Sequence, residues 1–360
     1  MNDPIRVLCV FSTLDRGGAE SMCMELYRHI DRNIIQFDFV KHTSNVGAFE
    51  EEILSKGGRI YEAPRFSISN IIKYRTWWKQ HFDSHPEHLI VHGHYFTISA
   101  VYFQIAKRKN RITIGHIHAS KVNNFWKALL AKTISHYTDY PLACSQMAGE
   151  WVYGRRPFTV LNNAIDSIKF RSNRVTAERI RDEFSLGNNL IIGNVGRFCI
   201  PKNPYGILEI FRRVHDRRPD SKLLWIGDGP MRVELQNKVA EYKIMDSVIF
   251  TGVRDDVEEL LQAVDVFVFP SFYEGLGVAA VEAQAAGVET YCSSSVPHEA
   301  AVTELCHFFS LTDLDAWVNS ILDIQSNYIH PDMTNQIIKA GYDINETSKW
   351  LEDFYFELMK

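Results

Sequence analysis

Apolar residues in this chain come in short unbroken runs, each followed by a stretch with helical spacing. The first array reads IRVLCVFS then GGAESMCMELYRHI; FDFVKH; RIYEA; HLIVHGHY then TISAVYFQIAKRK; RITIGHIHA then NNFWKALLAKTISHY; YPLACS then QMAGEWVYG; and FTVLNNA. A charged segment, VTAERIRDEFSLGNN, interrupts the alternation. It restarts with LIIGNVGRF before YGILEIFRRVHDRRP, KLLWIGDGP before MRVELQNKVAEYK, VIFTGV before VEELLQAV, VFVFPS before GVAAVEAQAAG, and ETYCSSS. Nearly continuous apolar strands separated by helices predict parallel sheets covered on both faces. Two arrays predict an α/β chain of two Rossmann-like, doubly wound domains, with a boundary near 170–188 and a last amphipathic helix in SKWLEDFYFELMK.

That organisation directs attention to the residues just after each strand, because ligands of open parallel sheets bind beyond the carboxyl ends of the strands. With two such domains the expected site is the cleft between them. TLDRGGAES places Gly17 and Gly18 after the first strand, where backbone can approach a ligand and a helix start offers N–H groups to an anion. The spacing is not the GxGxxG dinucleotide fingerprint, which argues against a dehydrogenase. His92 and His94 follow one strand, and His116 and His118 another. Four histidines suggest zinc, but each pair has i, i+2 spacing with no Cys or carboxylate ligand beside it, so no metal is expected. Any one of them reads first as a structural histidine; His118, just beyond a strand, is the better site candidate.

In the second array VGRFCIPKN carries Arg197 and Lys202 directly after a strand, a planar fork and a compact cation that together suit a diphosphate. The plainer reading is two loop cations in water. Gly227, Asp228, Gly229 and Pro230 of WIGDGP read equally as a turn and helix start. The stretch YEGLGVAAVEAQAAG sets Glu274 in a turn and Glu282 farther along a helix of small residues. Between them Gly275, Leu276, Gly277 and Val278 offer backbone N–H groups at the helix start. Carboxylates accept hydrogen bonds from sugar hydroxyls and repel phosphates. Cations and N–H donors flanked by carboxylates therefore describe a seat for a sugar nucleotide.

Composition narrows the class without changing this picture. A chain of 360 residues with 46% hydrophobic and 23% charged residues supports two cores. A net charge of -5 gives no broad surface for nucleic acid. The six cysteines, Cys9, Cys23, Cys144, Cys199, Cys292 and Cys306, lie scattered in apolar runs without a CxxC pair, as reduced thiols of a cytosolic protein do. The N-terminus lacks signal-peptide features, and no window reaches about 18 uninterrupted apolar residues, so a membrane-spanning helix is not expected. The expected location is cytoplasmic, with membrane contact limited to the periphery.

Taken in order, VGRFCIPKN, GDGP, FTGVRDDVEELLQAVDVFVFPS and the two glutamates eight apart in EGLGVAAVEAQAAG resemble the donor-binding domain of the retaining GT-B glycosyltransferases of family four. GGAE, VHGH, HIHAS and VLNNAIDSIKF extend the resemblance to nearly the whole chain, and CSSSVPHEAAVTELCHFFSL looks most like bacterial members that build exopolysaccharide or capsule. The resemblance implies two Rossmann-like domains facing each other: 1–180 plus 342–360 for the acceptor and 181–341 for the donor, with the last helix crossing back to the first. It implies that Arg197 and Lys202 neutralise the donor diphosphate, Glu282 holds the ribose and Glu274 the transferred sugar. Backbone at Gly275, Leu276, Gly277 and Val278 would support phosphates or sugar, Gly17 and Gly18 would approach the diphosphate, and the base would lie near Val253 and Arg254. His118 would contact the donor sugar, and His94 and His116 are the acceptor candidates. Where many members carry Pro or Phe after the first glutamate this chain has EGLGV, and SSSVPHEA replaces a glycine-rich phosphate loop, leaving Ser294, Ser295 and Glu299 as candidates for its role.

The implied reaction moves a hexose-type sugar from a nucleoside diphosphate, UDP at the family level, to an acceptor hydroxyl with retention of configuration. The acceptor would be a glycan or a lipid-linked sugar. No resident cofactor is implied, and Asp313-Leu314-Asp315, a formal DxD match, reads as a helix cap. Two other readings stand beside it: a nucleotide-sugar 2-epimerase of the same architecture, and a non-catalytic nucleotide-sugar binder in a polysaccharide-synthesis complex. FWKALLAK and NIIKYRTWWKQHF are basic, aromatic stretches that either touch a membrane or pack on the core.

Overall fold

A computed structural model describes residues 3–94, 96–118 and 133–360. The chain divides into two units, residues 1–164 with 344–360, and 165–343. In the first unit the strands are β1 (Ile5–Val10), β2 (Ile35–Lys41), β3 (Ile60–Glu62), β4 (Ile90–Gly93), β5 (Ile112–Ile117), β6 (Tyr140–Ala143) and β7 (Thr159–Val160). They form one parallel sheet in the order β3-β2-β1-β4-β5-β6-β7. In the second unit β8 (Leu190–Val195), β9 (Ser221–Ile226), β10 (Val248–Gly252), β11 (Val266–Phe269), β12 (Glu289–Ser293) and β13 (Cys306–Phe309) form another, ordered β10-β9-β8-β11-β12-β13. In each, the strand order reverses beside the first strand, at β1/β4 and at β8/β11, the switch point where such sheets leave a crevice.

Burial on both faces explains why the central strands read as unbroken apolar runs. Along β1, Val7 and Cys9 enter one core while Leu8 and Val10 enter the opposite one. Along β11, Phe267 and Phe269 pack on one side and Val266 and Val268 on the other. The helix Ile344–Leu358 joins the first unit: its Leu351 and Tyr355 are buried with Met22 and Phe37, and Glu352 accepts a 2.6 Å hydrogen bond from the Asp31 N–H.

The unit boundary falls at 164/165 and 343/344, earlier and later than the 180/181 and 341/342 read from the sequence. The charged segment is the cause. Its helix Arg174–Glu183 buries Ile180 in the second unit's core, and Arg181 grips Asp265 through two 2.8 Å hydrogen bonds. Strand β13 was not anticipated, being a four-residue edge strand that contains His307. Only Thr159–Val160 of FTVLNNA is strand. FWKALLAK, with Ala119 and Ser120, lies outside the described residues.

Candidate functional site

Two loops at the carboxyl end of the second sheet build the candidate donor seat. The first runs from β8 through Arg197 to a short 3-10 turn, Ile200–Lys202, and ends at Asn203. The second leaves β11 at Pro270 and reaches the helix Val278–Ala285. Asn203 sews them together: its side-chain N–H donates to the Pro270 carbonyl at 2.9 Å, while its side-chain oxygen caps the helix Pro204–Arg217 through the Gly206 N–H. The Phe272 N–H adds a 2.9 Å bond to the Pro201 carbonyl. The outcome is that Lys202 and Glu274, 72 positions apart in the chain, meet: Lys202 Nζ donates to Glu274 Oε1 at 2.6 Å and Oε2 at 2.7 Å. Glu274 is 9% exposed, and Lys202 Nζ also stands 5.2 Å over the Phe269 ring. The two residues assigned separate ligand groups are thus each other's partner in this structure.

Arg197 is exposed, and among the described residues no ion pair holds it. Phe198 beside it is buried, and its N–H donates to the Asp228 carbonyl at 2.9 Å, so GDGP braces the arginine loop. Asp228 itself accepts from the Gly229 N–H and from Arg232, the turn-and-helix-start reading of that motif. Gly277 has φ +94°, a left-handed conformation that L side chains rarely adopt, and it precedes the helix that carries Glu282. Leu276 and Gly277 are buried, while Glu282 and Val278 are half-buried. Gly275 is likewise half-buried. Val253 is exposed after β10. The Arg254 guanidinium turns to Asp256 in a two-pronged pair at 2.8 and 2.6 Å, with Glu183 3.5 Å away. The Arg254 guanidinium is thus engaged by its own neighbours.

In the first unit, the β4–β5 register pairs Gly93 with Gly115 and so sets the four histidines side by side. His92 stacks on His94 at 4.3 Å and on His116 at 5.4 Å, and His118 lies tilted against His116 at 4.2 Å. His92 Nδ1 meets the Tyr355 hydroxyl at 2.5 Å and His94 Nδ1 meets His118 Nε2 at 2.8 Å. Burial holds all four rings far toward neutrality, with His92 and His118 at about 3. His94 and His116 are 5% and 0% exposed, so this arrangement withdraws both from the acceptor role assigned to them. His118, half-buried, is the ring at the edge of the stack. Ligand atoms of His92, His94 and His116, and of Cys9, Cys23 and His94, lie within 4.8 Å of one another. The three imidazole planes differ by 17 to 40°, and His92 Nε2 meets His116 Nδ1 at 3.3 Å.

Glu20 changes the meaning of the glycine pair. A Cβ on Gly17 would lie 2.3 Å from Glu20 Oε2, so a carboxylate packs against this turn. Burial raises the Glu20 pKa, offset by hydrogen bonds from its own N–H and Thr13. An anion therefore already occupies the helix start at which Gly17 was expected to meet phosphate; Gly18 has nothing within 4 Å of its Cβ direction. The aromatics of NIIKYRTWWKQHF mostly pack inward: Tyr74, Trp78 and Phe82 are buried, while Ile72 is 80% exposed. No helix among the described residues is long and apolar enough to cross a membrane.

Residues 176–343 match the family model described as glycosyl transferases group 1. The chain is 32% identical over 308 residues to the putative glycosyltransferase EpsF of Bacillus subtilis, covering 81% of this chain and 79% of that one. It belongs to the group 1 glycosyl transferases. Another relative is the Escherichia coli UDP-Gal:alpha-D-GlcNAc-diphosphoundecaprenol alpha-1,3-galactosyltransferase, 26% identical over 213 residues, 56% of this chain and 54% of that one. Among solved structures, Anabaena Alr3699/HepE in complex with UDP and glucose superposes with TM-score 0.80 at 15% identity, covering 98% of this chain and 100% of that one. That likeness establishes the GT-B fold class.

Within this glycosyl transferase, two supporting residues escaped the sequence reading. Gln284, fully buried, donates to the Ala280 and Ala300 carbonyls at 2.8 and 2.7 Å and accepts from the Val302 and Thr303 N–H groups at 3.0 Å. It ties the helix bearing Glu282 to the segment after SSSVPHEA, in which Ser294, Ser295 and Glu299 are exposed. Asn203, with φ +51°, betrays itself only as a polar residue before a proline. The signal for Glu20 was present: a glutamate at the third helical position is a capping residue.

Proposed function

We propose that this group 1 glycosyl transferase moves a hexose-type sugar from a UDP-sugar to an acceptor hydroxyl with retention, in the synthesis of a bacterial exopolysaccharide or capsule. The Lys202–Glu274 pair at the start of the helix Val278–Ala285 carries the reading. It sets a cation and a hydroxyl acceptor within one hydrogen bond of each other, as a ligand with a phosphate beside a polyol requires. The names of the relatives support the donor class: UDP and glucose occupy the Anabaena neighbour, and the Escherichia coli relative is named for UDP-Gal.

Arg197, Lys202 and the N–H groups from Gly275 to Val278 hold the diphosphate; Glu274 holds hydroxyls of the sugar, Glu282 the ribose, and Val253 with the backbone at Arg254 the base. In the first unit, His118 contacts the transferred sugar. The anomeric carbon–oxygen bond breaks with its electron pair leaving on the diphosphate, whose charge Arg197 and Lys202 stabilise. The acceptor oxygen bonds to the same face of that carbon, and its proton passes to the departing phosphate oxygen. A double displacement needs a carboxylate beneath the anomeric carbon; Glu274, with both oxygens on Lys202, suits hydroxyl binding better. Positive charge from these two side chains serves where other enzymes use a metal, so none is invoked. A glycan or lipid-linked sugar is the acceptor, and Ile68 and Ile72, exposed beside Lys73, are the proposed peripheral membrane contact.

The test is a thermal-shift panel of UDP-, GDP- and ADP-sugars, followed by NMR of the glycoside formed. Stabilisation by a UDP-sugar, which follows from mass action, and an unchanged anomeric configuration support the reading. No stabilisation at millimolar concentration by any of them, or an inverted product, defeats it.

A further inference from the structure

The second unit carries a cavity of about 730 Å³ at the end of its sheet away from the candidate donor seat. The helix Arg174–Glu183 forms one wall, the segment 327–330 another, and buried Asp265, just before β11, lies at the base. Asn188 lines it two residues before β8. Both strands begin here, whereas Arg197 and Pro270 follow their carboxyl ends, about 13 to 20 Å away at the usual rise per residue. The walls are tied in place. Asp265 accepts from Arg181 at 2.8 Å and from the Tyr328 N–H at 3.2 Å, and Asn327 Nδ2 donates to Asn188 Oδ1 at 3.0 Å. The volume falls in the range of small-molecule sites, about 300–1,000 Å³.

The charges in the lining are matched, save one. Arg174 pairs with Glu178 at 2.9 Å and Arg181 with Asp265, and burial holds His330 toward neutrality. Asp182 is exposed and has no partner among the described residues. The lining is thus one charge negative, which disfavours a phosphate or other anion, and one free carboxylate is too few for a divalent metal. What stays open is a mixture of donors and acceptors on exposed or half-buried residues. These are the Asn173 side-chain N–H groups, the Asn327 side-chain oxygen, the Asp182 carboxylate and the Ser172 and Tyr328 hydroxyls, none with a hydrogen-bond partner among the described residues. A ligand hydroxyl both donates and accepts, so a neutral polyol meets this set without stranding either kind of group. The Tyr328 ring and Ile329, 77% exposed, add apolar surface for the C–H face of a sugar ring. We propose that this cavity is a second carbohydrate site, which takes neutral sugar units of a glycan. That this glycan is the acceptor or product of transfer rests on the function proposed above; the preference for neutral sugar does not.

The test uses the full chain with 13C-labelled isoleucine methyl groups, the Ile329 signal being assigned by its loss in Ile329→Val. The probes are maltohexaose, cellohexaose, chitohexaose and β-1,4-galactohexaose. Inorganic phosphate and spermidine serve as charged controls, and UDP as a ligand for the donor seat. At least one hexasaccharide should shift Ile329 saturably, while phosphate, spermidine and UDP leave it in place. In Ser172→Ala/Asp182→Asn/Tyr328→Phe the Kd for that sugar should rise at least about 10-fold, the loss of several hydrogen bonds of ordinary strength. Tyr328→Phe alone, the mildest change, should raise it about 2- to 10-fold with the melting temperature unmoved. No shift with any of the four sugars overturns the proposal, as does a saturable shift with phosphate or spermidine, or unchanged affinity in both variants. A protein that shows the sugar-dependent shift yet gains no stability from any nucleotide sugar keeps this site and loses the transferase reading, so the two fail separately.

Discussion

Lys202 Nζ donates to both carboxylate oxygens of Glu274, at 2.6 and 2.7 Å, across two loops sewn together by Asn203. Because Glu274 is 9% exposed, removing the cation alone leaves a nearly buried charge without its counterion. Lys202→Met should therefore lower stability by about 2–3 kcal/mol. The double variant Lys202→Met/Glu274→Gln, which has no charge left to strand, should recover most of that loss. Transfer should stay abolished in both. Urea unfolding of the four members of the cycle measures the coupling, and additive losses would show that the pair contributes nothing.

Gln284 donates to two buried carbonyls and accepts from two half-buried N–H groups. Gln284→Leu should cost on the order of 3 kcal/mol, since it removes all of these bonds at once while keeping volume. Denaturant titration of the full chain reads this directly, and a cost below about 1 kcal/mol would remove the residue from its bracing role.

Acid should weaken the first unit well before carboxylates titrate. His92 and His118 are held at about 3 in the fold, against about 6.5 for a free imidazole. Between those values the unfolded chain binds protons that the folded chain refuses, so stability falls as pH drops from 6.5 towards 3 and is fully present above 6.5. For His92 alone the loss reaches about 2 kcal/mol at pH 5. Melting temperature measured from pH 8 to 5 should fall, and His92→Phe should flatten the dependence. His42, lowered to about 4 by burial, adds to the same slope.

Asp313 accepts from the Ala316 N–H at 3.1 Å and so caps the helix Leu314–Leu322. Asp313→Ala should cost about 1 kcal/mol of stability, the usual value of a cap, and leave transfer as it was. A chelator should likewise leave the rate unaltered; a dependence on either would give the DxD tripeptide a metal.

The architecture was legible because strands buried on both faces must be apolar throughout, as Val7 to Val10 and Val266 to Phe269 are. Lys202 and Glu274 were legible as site candidates because each directly follows a strand. Pairings set by strand order were hidden. Two histidine doublets 24 positions apart become one stack only because β4 and β5 are neighbours in register, and that burial removes His94 and His116 from solvent. Local competition hid others: Arg254 turns to Asp256 two residues on, and Glu20 folds back over Gly17. In each case a polar side chain found a nearer partner than a ligand, which spacing alone does not reveal.

The helix Ile344–Leu358 completes the first unit although residues 165–343 come between them in the chain. A ribosome therefore releases the continuous inner unit with all its parts in hand, while the unit begun earliest waits, its Tyr27–Phe37 face uncovered and His92 without Tyr355, until the last segment emerges. The order of synthesis and the order of folding are inverted. A stall within residues 344–358 would leave a nascent product with a finished second unit and an exposed apolar flank for chaperones to shield.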